Sequence, residues 1–262
     1  MKKVISIANQ KGGVGKTTTA INFGAALAAR GKKVLVIDLD PQGNASTGMG
    51  IERSSRDLTT YDVLIDGAPI ERAARDCGFD GMKIVPATTD LASADAHLMT
   101  STRRVMHLKA AVVKGGYDAD VVLIDCPPSL NLLTINAFVA SDAILVPLQA
   151  EFFALEGLSQ LLLTVKDVRQ SANPRLRLEG VVLTMYDGRN NLCRQVEADV
   201  RETLGELVYE TRIPRNVRLS EAPSYSQSIL TFDPTSRGAI AYRSLAGEYL
   251  RRTDATREPE NA

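Results

Sequence analysis

The sequence predicts a doubly wound α/β fold, a mostly parallel sheet flanked by helices. Short β-branched apolar runs recur along the chain, helical patterns fall between them, and a glycine-rich loop joins the first run to the first helix. The runs are continuously apolar rather than alternating. That pattern requires cover on both faces of the sheet and hence parallel pairing.

In chain order, Val4–Ala8 (VISIA) is the first strand. After the glycine-rich loop comes an Ala-rich helix over Thr17–Arg30, with Gly31 placed to cap it. Val34–Asp38 (VLVID), Val121–Asp125 (VVLID), Ala143–Leu148 (AILVPL) and Gly180–Thr184 (GVVLT) are further strands, and Lys83–Pro86 (KIVP) is a sixth candidate. Ala154–Arg169 carries Leu155, Leu158, Leu161, Leu162 and Val165 at helical spacing; Leu192–Leu204 and Gly238–Arg251 follow the same logic. No internal repeat and no long linker interrupts the chain. Residues 1–252 are therefore expected to form a single domain, and the polar segment 253–262 (TDATREPENA) a disordered tail.

The chain has 262 residues, within reach of one large α/β unit. Its 31 basic and 31 acidic residues cancel, so any attraction to nucleic acid must come from a local patch. Cys77, Cys126 and Cys193 are far apart and form no C-x-x-C pair, which argues against a disulfide framework or a zinc site. No leader pattern precedes the first strand, and the apolar runs are too short to span a bilayer. A cytoplasmic protein is expected.

The segment "IANQKGGVGKTTT" at 7–19 is a phosphate loop in a strand–loop–helix setting. Gly12, Gly13 and Gly15 let backbone N–H groups, including those of Val14 and Thr18, approach phosphate oxygens at a helix N-terminus. Lys16 is placed to reach the β- and γ-phosphates, and the Thr17 hydroxyl to ligate Mg²⁺. The usual pattern asks for glycine where Gln10 stands, and does not ask for Lys11. On the residues alone, Lys11 is either a solvated lysine or a second cation for phosphate. Asp125 closes an apolar strand at the sheet's carboxyl edge, where it can hold a metal-bound water or cap a helix. In "DLDPQGN", Asp38 and Asp40 can divide metal support and water orientation between them; an Asx turn before Pro41 is the plainer reading.

Together, "KGGVGKT" at 11–17, "DLDPQGN" at 38–44, "DCPPS" at 125–129, "PLQAE" at 147–151 and "RIPRNVRLSEAPSYSQSI" at 212–229 closely resemble the ParA/Soj partition ATPases, of the wider deviant Walker A group that includes MinD. The resemblance runs from residue 2 to about 250. It implies a weak Mg²⁺-ATPase that dimerises on ATP, with Lys11 crossing to the partner's phosphates. It gives Asp40 the hydrolytic water, Asp38 the support of Mg²⁺, and Met185, Pro214 and Asn216 the neighbourhood of the base.

The resemblance also bears on the output of the switch. Cys126 has no suitably placed second cysteine for a shared iron–sulfur cluster, and reads as a small buried residue. The last helix spaces Tyr242, Leu245, Ala246, Tyr249 and Leu250 as a core-facing stripe, and no basic amphipathic helix for membrane follows. Family arginines for nonspecific duplex DNA fall on Arg189 and Arg218, with Arg215 beside them. On the residues alone, surface salt bridges explain these arginines equally. The implied partners are a second copy of the chain, DNA and a ParB-like centromere-binding protein, with nucleoid association in the ATP state. No separate DNA-reading domain precedes the first strand, so operator-specific repression is not expected. The alternative is a MinD-like positioning ATPase acting on membrane or a protein cargo.

Overall fold

A computed structural model describes residues 2–255. Seven strands form one sheet: β1 (Lys3–Ile7), β2 (Val34–Asp38), β3 (Arg75–Asp76), β4 (Met82–Val85), β5 (Val121–Asp125), β6 (Ala143–Gln149) and β7 (Arg177–Thr184). They lie in the order β3-β4-β2-β5-β1-β6-β7. Every neighbouring pair is parallel except β3 on β4, which is antiparallel at the edge. All six expected runs are strands, and β3 is the addition. Its two residues are too short to show any periodicity.

The sheet separates two cores. Val4, Leu35, Ile37, Val122 and Ile124 face one, while Ile5, Ile7, Val34, Val36 and Leu123 face the other. Successive strand residues point to opposite faces, so a strand covered on both sides must be apolar throughout. The Lys16–Ala28 and Arg237–Ala255 helices cover one face, where Phe23 meets Tyr249 edge-on with ring centroids 5.4 Å apart. Gly24 shows how closely the first of these helices lies on the sheet: a Cβ there would stand 2.7 Å from Met82 Cε. The Leu132–Ala140, Ala154–Ser171 and Asn191–Leu204 helices cover the other face.

The final helix runs longer than its sequence pattern suggested. Residues 253–255, expected to open the polar tail, form its last turn. Thr253 is buried, and its hydroxyl donates to Tyr249 O at 2.6 Å, so a polar side chain is satisfied without leaving the helix. The remainder of the expected tail, 256–262, lies outside the described residues. Tyr242, Leu245, Ala246 and Tyr249 are buried, so the apolar stripe is spent on the core. Among the described residues, no helix is long and apolar enough to cross a membrane.

Candidate nucleotide site and arginine cleft

The carboxyl ends of β1, β5 and β2 lie at one level. Ile7 pairs with Asp125, and Asp125 pairs with Asp38. The sheet therefore sets two carboxylates side by side at the edge from which the glycine-rich loop departs. Gly15 caps the Lys16–Ala28 helix at φ 87°, a left-handed conformation that would strain any side chain. Lys16 Nζ folds back to donate to Lys11 O at 2.9 Å, and Thr184 Oγ1 donates to Val14 O at 2.8 Å. Asn9, which the sequence did not mark, holds the loop's start: Nδ2 donates to Pro147 O at 2.8 Å while Oδ1 accepts from Lys11 N at 3.0 Å. Lys16 is buried, which pulls its ammonium below the usual range, against the opposing pull of Asp125.

Both aspartates are fully buried. Asp38 Oδ2 accepts from Ser46 N at 2.8 Å and Ser46 Oγ at 2.6 Å, and Oδ1 accepts from Asp40 N at 3.2 Å. Burial nonetheless pushes Asp38 up to about 6, against these hydrogen bonds. Asp125 is raised well above the carboxylate range by burial and then by Asp38, opposed by the Thr17 hydroxyl and Lys16. Neither of its oxygens accepts a hydrogen bond of ordinary geometry, the Thr17 hydroxyl approaching without completing one, and Asp125 does not cap a helix. The following helix is capped by Asn131 instead. Two adjacent buried carboxylates, one approached only by the Thr17 hydroxyl, are the donor set that a hydrated divalent cation satisfies. Among the described residues there is no cluster of three His, Cys, Asp or Glu able to form a protein-only metal cage. The paired carboxylates fit Mg²⁺, which keeps waters and takes phosphate oxygens as ligands.

Asp40 is half-buried, and its Oδ1 accepts from Gln42 N at 2.9 Å. The Asx turn is thus present, and it fixes where the carboxylate sits. Lys11 is exposed, and its ammonium pairs with Glu151 of the same chain, which also accepts from Gln149. A cavity of about 280 Å³ beside the loop is lined by Gly15, Thr18, Met185, Pro214, Asn216 and Tyr242, so the residues expected near the base come together. Met185 stands at φ 49°, an unusual conformation for a residue with a side chain, at the point where the chain leaves β7.

A family model described as an AAA domain matches residues 2–178. The chromosome partitioning protein ParA of Caulobacter vibrioides is 54% identical over 252 residues, covering 95% of this chain and 94% of that one. The sporulation initiation inhibitor protein Soj of Bacillus subtilis is 50% identical over 248 residues, covering 95% and 98%. The chain belongs to the ParA/Soj family of partition ATPases. Among solved structures, cobyrinic acid a,c-diamide synthase from Mycobacterium smegmatis with bound ADP and magnesium superposes with a TM-score of 0.85 at 39% identity, covering 98% and 97%. A shared fold does not transfer the amide chemistry in that name, and the higher identities lie with the partition proteins.

Of the three arginines that the ParA/Soj resemblance marks, Arg189 and Arg215 line one open cleft of about 1200 Å³. Arg30, Arg212, Arg237 and Arg251 join them there, the last two from the final helix, so the six arginines come from four separate stretches of chain. Arg218 lies outside the cleft and pairs with Glu221 at 2.9 Å and Asp233 at 3.5 Å. Arg189 grips Asp187 through two bonds of 2.8 and 3.0 Å. Both are exposed pairs of the kind that water screens, and phosphate can replace the carboxylate.

Glu197 organises one wall of the cleft. Burial pushes it up, but hydrogen bonds from Arg212, Tyr186 and Arg201 outweigh that and hold it at about 2, below its ordinary 4.5. A carboxyl depressed in the folded state stabilises fully above its unfolded value and loses that contribution as pH falls towards its folded one. Thermal melting should therefore show stability falling between about pH 4.5 and 2, and Glu197→Gln should flatten that segment. An unchanged slope in the variant would remove Glu197 from this role.

Proposed function

We propose that this member of the ParA/Soj family is a Mg²⁺-ATP-driven dimerisation switch, with residues 1–252 acting as one unit. The observation that carries it is the pairing of Asp38 and Asp125, buried beside a phosphate loop whose extra lysine is held by Glu151 of the same chain. In this reading Gly12, Gly13, Val14, Gly15, Thr17 and Thr18 cradle the phosphates, and Lys16 neutralises them. Thr17 would hold Mg²⁺, and Asp125 and Asp38 would support its waters; when bound, the cation would supply charge neutralisation to the phosphates. Asp40 orients the hydrolytic water from its Asx turn, and the base lies near Met185, Pro214 and Asn216. Lys11 serves the nucleotide of a second copy, which makes the dimer conditional on the γ-phosphate.

The ATP dimer binds duplex DNA without sequence preference through Arg189 and Arg215, with Arg218 flanking the cleft. A ParB-like partner stimulates hydrolysis and releases the DNA. Sedimentation with a non-hydrolysable ATP analogue or ADP, against random-sequence duplex or anionic liposomes, tests this. DNA should co-sediment in the analogue state alone. Arg189→Ala with Arg215→Ala should weaken DNA binding about tenfold or more, reduce the salt slope by roughly one to two units, and leave the dimer intact. Co-sedimentation with liposomes and not DNA would transfer support to the MinD-like alternative.

A further inference from the structure

The Thr60–Ile65 helix leaves the nucleotide edge, where Thr60 Oγ1 donates to Asp38 O at 2.7 Å, and a cavity of about 690 Å³ opens between it and the His107–Lys114 helix. It shares no lining residue with the nucleotide cavity or the arginine cleft. Its walls are apolar, including Leu64, Ile70, Met106 and Val113, and Val113 is 75% exposed at the lip. Its size is that of a formed binding site rather than a packing gap. The walls are also pinned to one another: His107 Nδ1 donates to Leu64 O at 2.7 Å, and Nε2 pairs with Ser101 Oγ at 2.9 Å. The groove is therefore preorganised, and little ordering cost falls on a ligand that enters it.

Charge selects the occupant. Arg103, Lys109 and Lys114 rim the groove, and no carboxylate lines it. None of the three takes part in an ion pair among the described residues, whereas Lys33, Lys83 and Arg189 on the same molecule all do. Asp66 and Glu71 stand beside lining residues in the chain, so the one-sided charge is that of the lining itself, on a chain whose charges cancel overall. Lys109 and Lys114 are five residues apart on one helix, a rise of about 7.5 Å. The same five residues turn the helix by about 140°, so the two lysines stand on either side of the apolar face. Cations on both sides of an apolar trough match an apolar helix face with acidic flanks better than one compact head group. A second copy would bring the same basic rim against itself, which repels. DNA would leave the apolar walls unmatched.

We propose that this groove docks an acidic amphipathic helix of a partner protein. The test is a displayed library of random helical peptides, selected on the full chain and on a Lys109→Glu/Lys114→Glu variant. Both positions are at least partly solvent-exposed, and an unchanged melting temperature and ATP affinity confirm that the variant folds. Selection on the natural chain should enrich peptides with apolar residues at i, i+3, i+4 and i+7 and acidic flanks. The variant should bind them about tenfold or more weakly and enrich basic-flanked peptides instead. Hydrogen exchange should slow in residues 63–70 and 103–115 when an enriched peptide is bound. The proposal is overturned if no acidic amphipathic class emerges, or if the variant retains it undiminished. Saturable binding of decanoate without peptide enrichment also overturns it, in favour of a small amphiphile.

Discussion

Replacing Lys16 with alanine is expected to abolish useful nucleotide binding. Lys16 is only 7% exposed, and its ammonium is held inside the loop by Lys11 O at 2.9 Å. It is the cation nearest the buried Asp38–Asp125 pair in the chain's own loop, and Asp125 and Asp40 both favour its charged form. Removing one member of a buried charge interaction costs roughly 3–5 kcal/mol, or about two to three and a half powers of ten in affinity. The triphosphate would then meet carboxylates without a compensating charge. Titration with fluorescent ATP measures the loss, and thermal melting of the apo variant checks its fold. An affinity within about threefold of the natural chain would refute the role of Lys16.

Asp40→Ala should have the second large effect, on turnover rather than binding. Loss of a positioned general base or water-orienting group typically costs about 10²–10⁴ in rate. The variant should accumulate as an ATP dimer that still holds DNA, read by light scattering and by single-turnover phosphate release. Alanine also deprives Gln42 N of its acceptor, which lies 2.9 Å away. Asp40→Asn separates the two contributions, because the amide oxygen keeps the turn while the negative charge is gone. If Asp40→Asn hydrolyses ATP like the natural chain, the carboxylate has no part in activating water.

The legible parts of this molecule were those in which one short stretch carries its own physics. A strand between two cores is apolar at every position, so β1, β2 and β5 stood out from the sequence. The phosphate loop, Thr17, Asp38 and Asp125 were readable because each closes or follows such a strand, and parallel register then brings their ends together. The short helices between residues 44 and 114 were not readable. The Thr60–Ile65 helix, for example, rests on a capping box made by Thr59 and Asp62 and on tertiary packing, over too few residues for a period to appear. The arginine cleft was only partly readable. Arg212 and Arg215 share one segment, but Arg30, Arg189, Arg237 and Arg251 meet them through topology, and no local pattern joins these stretches. Glu151 lay within a motif that carried the resemblance, yet only the folded chain shows that it takes the ammonium of Lys11.

That ion pair has a consequence for timing. A lysine aimed outward from each of two identical faces would make those faces repel on approach. With Lys11 clasped to Glu151, the charge of that lysine is offset on each subunit, which lowers this part of the penalty. Exposed pairs of this kind contribute about 1 kcal/mol or less, so a triphosphate in the opposite subunit can draw the lysine away. Once that charge leaves as inorganic phosphate, the clasp can close again. If Lys11 serves a second copy's nucleotide as proposed, Glu151 would act as a return spring: weak enough not to oppose assembly, and always present to favour letting go.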